Sequence, residues 1–440
     1  MLLAACSRRP ADSGTDVATV AITNVSVVDV ERGRLLPGQT VLIRHDTITR
    51  VAPATAVAVP AGADVVDGTG RFLMPGMADM HVHLYTDGDL RTYVANGITT
   101  VRNMAGDSSH LAMRARVASG RIIGPRIITA GPVVESAPLS HPDNARLEDP
   151  ALVRSVLQRQ HDAGYDFVKV YNALAPEVYD SVIVVARSLG MRVAGHVPGD
   201  VGIDRALAAG QHSVEHFRGY ITALLDPADA ARTRTFRDWS LAWNRIDTAR
   251  IGPLVARTIA AGSWNVPTFT FTVHELSPAA AHARLLKRPE VAHLSLQGLP
   301  SDRSTTSYLR DFREQDFEAA QRGLEPQFRL LRALDSAGAG LLVGTDSWLA
   351  GYAFADELAL MVRGGLTPAR VLRMATLDAA RFLDEQTTSG AVTAGRRADL
   401  VLLDADPLLA IGNVRHVHTV VLRGRVLRAN ELAPPSVSPR

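Results

Sequence analysis

Two His-Val-His triplets are the first feature of this sequence that could do chemistry. His81 and His83 lie in MADMHVHLY, and His416 and His418 lie in VRHVHTVV. In an extended strand, residues two apart point to the same face, so either pair could direct two imidazoles toward one metal ion. Neutral imidazole is a common ligand of Zn²⁺. The residues around each pair must therefore decide which pair binds metal.

Four more side chains of ligand type follow the first pair along the chain. Each lies near the end of a different Val-rich run: Lys169 in FVKVY, His196 in RVAGHV, His216 in SVEHF and Asp346 in LLVGTDS. With His81 and His83 they make six candidates from five predicted strands, which is far more specific than any one of them. The second triplet has no such partners nearby, so we interpret His416 and His418 as ordinary strand residues.

These six residues need a scaffold that brings strand ends together. We predict eight core strands, at residues 76–84, 99–104, 126–131, 167–171, 192–197, 213–217, 266–271 and 341–347. Helix-like stretches such as 150–164 and 175–190, in which apolar residues recur at spacings of three and four, separate most of them. This alternation predicts an α/β fold, a (β/α)8 TIM barrel, whose active site lies at the C-terminal ends of the strands.

Short Val-rich runs bounded by Gly and Pro occur at both ends of the chain. They predict a small β-sandwich formed from both termini. The predicted boundaries are an N-terminal signal and tether at 1–17, the first part of the sandwich at 18–75, the barrel at 76–385 and the second part of the sandwich at 386–430.

The composition favours small-molecule chemistry. The 47 basic and 45 acidic residues give a formal charge of +2 without a basic stripe, so the charge pattern of a nucleic-acid binder is missing. No apolar run approaches the roughly 20 residues that span a bilayer. A single cysteine excludes an internal disulfide framework. We expect a small-molecule substrate, no nucleic acid and no transmembrane span, and the sequence leaves a homo-oligomer open.

That cysteine, Cys6, lies in LAAC, which resembles the lipobox of bacterial lipoproteins. The apolar segment before it, residues 2–5, is shorter than the roughly 7–15 apolar residues of a secretion signal. If the true start lies upstream of Met1, we expect a lipid anchor at Cys6 and a periplasmic or outer-membrane location. If Met1 is the true start, we expect a cytoplasmic protein.

The ordered set of MPGMADMHVHL, the lysine of FVKVY, the histidines of AGHV and VEHF and the aspartate of GTDS resembles the amidohydrolase superfamily. The resemblance covers residues 18–430 and looks closest to imidazolonepropionase-like and prolidase-like metal-dependent hydrolases with a carboxylated lysine. It implies two divalent metal ions, for which we expect Zn²⁺. The implied ligands are His81, His83 and Asp346 for the first ion, and His196 and His216 for the second.

Lys169 is the most informative residue of this set. An ammonium group cannot ligate a metal, but the family's lysine reacts with CO2 to form a carbamate that bridges two ions. Its alternative is a buried lysine in a salt bridge, because a lysine in an apolar strand needs a partner. The resemblance also implies that Asp346 takes a proton from a metal-bridging hydroxide and delivers it to the leaving amine.

Three further residues near predicted strand ends are weaker candidates. The hydroxyl of Tyr220 could donate a hydrogen bond to a developing oxyanion, although loop packing explains Tyr220 equally well. His141 lies in a polar loop after the third strand, where relatives often have a substrate-facing histidine, although the glycines usual there are missing. Arg218 could pair with a substrate carboxylate, although surface arginines are more common.

His212 and Glu215 have the H-x-x-E spacing of mononuclear deaminases in this superfamily. If His216 faces inward at the end of its strand, strand alternation predicts that Glu215 faces outward and that His212 lies lower, away from the rim. We therefore do not predict a deaminase.

We predict a binuclear metal-dependent amidohydrolase that cleaves an amide or peptide bond of a small molecule, foremost a dipeptide or N-acyl amino acid. One alternative is a cyclic amide or lactone hydrolase on the same metals. Another is a non-catalytic exported binding lipoprotein, against which the six intact ligand residues argue.

Overall fold

The computed structural model describes residues 20–140, 143–294 and 307–432. The predicted segment 1–17 with Cys6, and His141, lie outside these residues. Strands and helices alternate through most of the described chain, so the α/β class is confirmed. None of the helices in this part of the chain combines the length and the hydrophobicity that a membrane crossing needs.

The strands of the described residues are mostly short. They are β1 (Val20–Asp29), β2 (Arg34–Arg44), β3 (Thr47–Pro53), β4 (Asp64–Asp67), β5 (Phe72–Pro75), β6 (Met77–Val82), β7 (Ile98–Asn103), β8 (Arg126–Thr129), β9 (Val134–Glu135), β10 (Ala145–Arg146), β11 (Phe167–Val170), β12 (Arg192–Gly195), β13 (Ser213–Glu215), β14 (Trp264–Val266), β15 (Leu400–Leu403), β16 (Val417–Leu422) and β17 (Arg425–Leu427).

The helices of the same residues follow or separate these strands. They are α1 (Asp87–Ala95), α2 (Ser108–Ala118), α3 (Val153–Ala163), α4 (Pro176–Ser188), α5 (Gly202–Ala209), α6 (Tyr220–Leu224), α7 (Pro227–Arg232), α8 (Phe236–Ala242), α9 (Ile251–Ala261), α10 (Phe269–His274), α11 (Ala279–Leu286), α12 (Glu314–Arg322), α13 (Leu324–Ser336), α14 (Ala353–Arg363), α15 (Pro368–Arg373), α16 (Ala379–Phe382) and α17 (Ala429–Leu432).

The strands from both ends of the chain share one eight-stranded sheet. Its order is β17-β16-β15-β5-β1-β2-β3, and β4 also pairs with β1. The join between the two ends is the antiparallel pair of β5 and β15, in which Leu73 lies opposite Leu402. Both leucines are fully buried in one apolar cluster with residues of β1 and β2. The termini therefore build one β-unit, and its arrangement as a sandwich stays a prediction.

Six of the eight predicted core strands are confirmed, as β6, β7, β8, β11, β12 and β13. They run parallel within two sheets, β6-β7-β8 and β10-β9-β11-β12-β13-β14. A single parallel bridge between Ala130 and Phe167 links the two sheets. The predicted helices at 150–164 and 175–190 are confirmed as α3 and α4.

The seventh predicted strand, 266–271, is wrong beyond its first residue. The strand β14 ends at Val266, and α10 begins at Phe269. Pro267 has no N–H to donate to a neighbouring strand, and Thr268 has a φ of 52°, which turns the chain out of the extended direction.

The eighth predicted strand, 341–347, is not a strand, although its segment lies where one was expected. Leu341 forms a bridge to Asn265 on one side. On the other side, Met80 N donates to Val343 O at 2.9 Å and Asp346 N donates to His81 O at 2.8 Å. These isolated backbone hydrogen bonds connect the segment with both β14 and β6 but do not form a continuous ladder.

Candidate metal centre

Three of the predicted ligands meet at one end of the parallel strands. His81 is on β6, His216 directly follows β13, and Asp346 lies in the eighth segment. One ligand atom from each lies within 4.8 Å of the other two. His83 joins them, since its Nε2 atom is 3.2 Å from Asp346 Oδ1. The first triplet therefore lies in this cluster, and its role as a metal-binding pair stays a prediction.

His196 and Lys169 border the same cluster from β12 and β11. The ring of His196 lies 4.9 Å from that of His216 and stacks on Tyr171 at 4.2 Å. The side chain of Lys169 is 2% exposed, and its Nζ atom lies 5.8 Å from the centre of the Tyr171 ring. Among the described residues, no carboxylate lies within ion-pair distance of Lys169, so these residues provide no direct salt bridge for it.

Three imidazoles of the cluster have their Nδ1 atoms occupied by protein oxygens. The pairs are His81 with Glu215 Oε2 at 2.8 Å, His196 with Asn172 Oδ1 at 2.7 Å, and His216 with Thr268 Oγ1 at 2.6 Å. Such partners fix the tautomer and the orientation of a metal-ligating histidine. Each ring therefore keeps Nε2 available for a metal ion.

The placement of Glu215 overturns its predicted outward orientation. Its side chain is fully buried and accepts hydrogen bonds from His81, from Arg102 Nη2 at 2.9 Å and from Ser213 Oγ at 2.6 Å. Strand alternation ends here because His216 has a φ of 58°, outside the extended region. The backbone turn lets two consecutive side chains face the interior.

Left-handed backbone conformations recur at this rim. Asp346 has a φ of 44°, His216 of 58° and Thr268 of 52°, values that are unfavourable for residues with a Cβ atom. The surrounding structure fixes them, since His216 N donates to Val266 O at 2.8 Å and Asp346 N to His81 O. Such backbone strain clusters at functional sites.

Gly195 makes room for Lys169. A Cβ atom at Gly195 would lie 2.9 Å from Lys169 Cδ and 2.1 Å from Val170 O, and the φ of +133° is one that other residues rarely adopt. The glycine at the end of β12 therefore allows the lysine stem of β11 to extend past it toward the histidines.

The electrostatics of the cluster favour the ligand forms of its side chains. Burial lowers the pKa of His81 to about 4 and moves the pKa values of His196 and His216 well below their usual range, so the imidazoles are neutral. Burial alone would raise the pKa of Asp346, but the adjacent imidazoles outweigh it and keep the carboxylate ionised. Burial lowers the pKa of Lys169 to about 8.

This donor set fits divalent metal ions. Neutral imidazole nitrogens with a carboxylate oxygen are ligands that Zn²⁺ takes in catalytic sites. A buried ammonium group that has no ion-pair partner at contact distance is costly, whereas a carbamate on the same nitrogen would be an anionic oxygen ligand whose charge bound cations would balance. The residues present therefore suit the metals that the sequence predicts.

Other predicted site residues lie elsewhere. Tyr220 is fully buried in the apolar core, where its hydroxyl hydrogen-bonds to Thr258 Oγ1 at 2.9 Å, so the predicted oxyanion role is wrong. His212 stacks on Phe382 at 4.5 Å, away from the cluster, as expected. His418 is in β16 and pairs with Asp404 at 3.1 Å, outside the candidate metal centre.

Residues that fix the ligands were largely missed from the sequence. Asn172 and Thr268 contact the Nδ1 atoms of two histidines, and Arg102 contacts Glu215. Asn172 could have been found, because it follows the strand of Lys169 at the same rim. A single arginine in TTVRNM gives no comparable signal, since its role depends on a glutamate 113 residues away.

Comparisons with known proteins agree with this architecture. The Amidohydrolase family profile matches residues 72–427. Adenine deaminase 3 of Rhizobium meliloti (strain 1021) is 23% identical over 96% of this chain, which spans 59% of that protein's length.

Two solved structures have a similar fold. The structure of a prolidase from Bifidobacterium longum superposes with a TM-score of 0.69 at 22% identity, covering 93% of this chain and 94% of that one. The structure of a Xaa-Pro dipeptidase with bound methionine in its active site superposes with a TM-score of 0.69 at 19% identity. The match covers 93% of this chain and 100% of that one. The profile match spans most of the sequence, and the chain belongs to the Amidohydrolase family.

Proposed function

We propose that this protein is a metal-dependent hydrolase acting on carbon–nitrogen bonds, and that it cleaves the amide or peptide bond of a dipeptide or N-acyl amino acid. One observation carries the proposal: the imidazoles of His81 and His216, with occupied Nδ1 atoms, converge with Asp346, and His196 lies beside His216. Next to them is the buried Lys169, which has no carboxylate within ion-pair distance among the described residues. The prolidase and dipeptidase structures with the same fold favour this substrate class over others.

We infer that the eight core segments form a (β/α)8 barrel and that its rim binds two ions. His81, His83 and Asp346 would hold one ion, and His196 and His216 the other. Lys169, as a carbamate, would lie between them. Divalent ions, when bound, supply Lewis acidity that polarises the scissile carbonyl and makes water more acidic.

Within such a site, Asp346 has the properties of a proton carrier. Its side chain is 15% exposed, so it reaches the open side of the cluster while its carboxylate contacts His83 and His216. Oδ1 or Oδ2 can accept a proton from the attacking water and pass it to the leaving nitrogen. Glu215 orients His81 throughout, because its contacts with Arg102 and Ser213 fix the carboxylate.

Deamination is a second candidate, since several relatives are named adenine deaminase. Glu215 would be the group that moves protons in such a reaction. Its carboxylate is instead saturated by three buried donors and is displaced from the open side of the site. The structure therefore supports amide hydrolysis better, with cyclic amides and lactones as further substrates of the same centre.

Metal analysis combined with a release assay tests the proposal. The purified protein is loaded with Zn²⁺ or Mn²⁺, and its metal content is measured alongside turnover of dipeptides, N-acyl amino acids, cyclic amides, lactones and adenine. We expect about two ions per chain and release of free amino acid, both abolished by chelation. Bound metal without turnover of any substrate would contradict the proposal and favour a binding protein.

A further inference from the structure

Arg218 is a charged residue at the rim for which the proposed mechanism has no use. It follows His216 by two positions, and its Nη2 atom donates to Asn172 Oδ1 at 3.0 Å. The same oxygen accepts from His196 Nδ1 at 2.7 Å. The guanidinium therefore lies one hydrogen-bonded neighbour away from a candidate metal ligand.

The charge of Arg218 is not compensated by the described residues. None of their carboxylates lies within 4.0 Å of it, and none of these residues accepts a hydrogen bond from its other nitrogens, which remain accessible to solvent. Its Cζ atom lies 3.4 Å from the centre of the Trp239 ring, which fixes the guanidinium plane. A guanidinium group keeps its positive charge at neutral pH. A rigid, partly desolvated guanidinium without a counter-ion is suited to bind an anionic ligand bidentately.

An aromatic wall extends from the same rim. Phe271 lies 6.1 Å from His216 and 6.1 Å from Phe236, and Tyr308 lies 5.3 Å from Phe236 between ring centres. All three rings are partly exposed. We call Phe236, Phe271 and Tyr308 the aromatic wall. It offers an apolar surface beside the metal ligands.

Helix α8 connects the wall with Arg218. Phe236 and Trp239 are three residues apart on α8, so they share one helix face. Two hydrogen bonds of 2.8 Å between Arg237 and Asp316 attach this short helix to α12. One anchored helix thus carries both the ring that stacks on Arg218 and one ring of the aromatic wall.

We propose that Arg218 binds the free carboxylate of the substrate and that the aromatic wall contacts the side chain of the residue bearing it. The substrate class would be N-acyl amino acids, including dipeptides, with an aromatic or large apolar C-terminal residue. This inference rests on the proposed function for the bond that is cleaved. It adds which end of the substrate is recognised and by what chemistry.

Matched substrates test the inference on the metal-loaded protein. N-acetyl-phenylalanine, its carboxamide and N-acetyl-glycine are compared in the wild type, Arg218→Met, Arg218→Lys and Phe236→Ala. Arg159→Met, on the exposed face of α3, is the control for loss of one positive charge. Metal content and melting temperature are recorded for each variant.

We expect the wild type to favour the free acid over the carboxamide by about 100-fold in kcat/KM, because the charge pair is partly desolvated. Arg218→Met should remove this preference by slowing the acid and should change the carboxamide by less than about threefold. The acid-to-carboxamide ratio of Arg218→Lys should lie between those of the wild type and Arg218→Met, because lysine keeps the charge but not the planar guanidinium group. Phe236→Ala should raise KM for the phenylalanine substrate about tenfold and leave N-acetyl-glycine unchanged.

Equal rates for acid and carboxamide in the wild type would overturn the inference, as would equal slowing of both by Arg218→Met at unchanged metal content. If Arg218→Met does not fold, Arg218→Lys decides by the same ratio. If the wild type hydrolyses none of these compounds, the release assay over the full substrate set decides the proposed function, and calorimetric titration with the same compounds decides the carboxylate site separately. Tighter binding of the acid than of the carboxamide, weakened by the Arg218 variants and unchanged in Arg159→Met, would then support the carboxylate site, and equal affinities would overturn it.

Discussion

Glu215 shows how a residue that binds no metal itself can control one that does. It accepts a hydrogen bond from His81 Nδ1 and is itself oriented by Arg102 and Ser213. Burial alone would raise the pKa of Glu215, but the charge of Arg102 and the hydrogen bond to His81 keep that pKa below its usual range. An ionised Glu215 makes His81 a better donor to a metal ion.

Glu215→Gln should therefore weaken metal binding by about 10- to 100-fold, the usual effect of losing such a partner. A competition titration against a chelator measures this affinity. Glu135→Gln is the matched control, because Glu135 is equally buried but bonds Ser140 and Asn144 and no candidate ligand. Equal metal affinity in both variants would contradict the role of Glu215.

Asp346→Asn separates proton transfer from metal binding. The amide keeps one ligand oxygen but cannot accept a proton, so we expect kcat to fall by about 10²- to 10⁴-fold. Metal content, measured on the same samples, should fall much less. Asp162→Asn on the exposed face of α3 should leave both unchanged. Near-normal kcat in Asp346→Asn would exclude this residue as the proton carrier.

At the residue scale, the sequence identified the ligand types but not the orientation of their neighbours. His81, His83, His216 and Asp346 could be proposed as candidate ligands because each lies at or near the end of a recognisable apolar run. Glu215 could not, because its direction depends on the left-handed backbone of the next residue, which no spacing reveals.

Helix α10 is the element that departs most from prediction, and a distant glutamate stabilises its start. Glu357 on α14 accepts from Phe269 N at 3.0 Å, from Thr270 N at 2.6 Å and from Thr270 Oγ1 at 2.9 Å. Its side chain is fully buried. The residues VPTFTF have the β-branched and aromatic composition of a strand, and only this tertiary contact, with the turn at Thr268, makes their second half helical.

Stability should fall as the pH rises through the titration of Glu357. Burial raises the pKa of Glu357 from 4.5 to about 8, so between these values the folded protein retains a proton that the unfolded chain has released. The contribution of this protonation to the free energy of unfolding is complete below about pH 4.5 and is lost as the pH rises through 8. Relative to Glu357→Gln, the wild type should lose free energy of unfolding between pH 5 and 8.5 in denaturant titrations. Parallel profiles of the two proteins would contradict this assignment.

The whole molecule depends on the sheet that both ends of the chain build together. Leu402 on β15 is 1% exposed and lies opposite Leu73 on β5, so it belongs to the apolar cluster of β1 and β2. Leu402→Ala should lower the free energy of unfolding by about 2–5 kcal/mol, measured by chemical denaturation. Val184→Ala on exposed α4 should cost less than about 0.5 kcal/mol. An equal effect of the two substitutions would show that the join contributes little.

At this scale, the alternation of strands and helices was sufficient to predict the core order, because buried parallel strands have continuous apolar runs. The sequence did not reveal that the eighth segment, 341–347, is irregular. LLVGTDS has the residues of a strand, yet it makes isolated hydrogen bonds with β6 and β14, and Gly344 approaches Val266 and His81 too closely for any larger residue.

The pairing of β5 with β15 also imposes an order on biosynthesis. A strand that is complete by residue 75 cannot gain its second neighbour until residues 400–403 have left the ribosome. During that interval one edge of β5 stays unsatisfied, and it is a surface that a nascent-chain chaperone could cover.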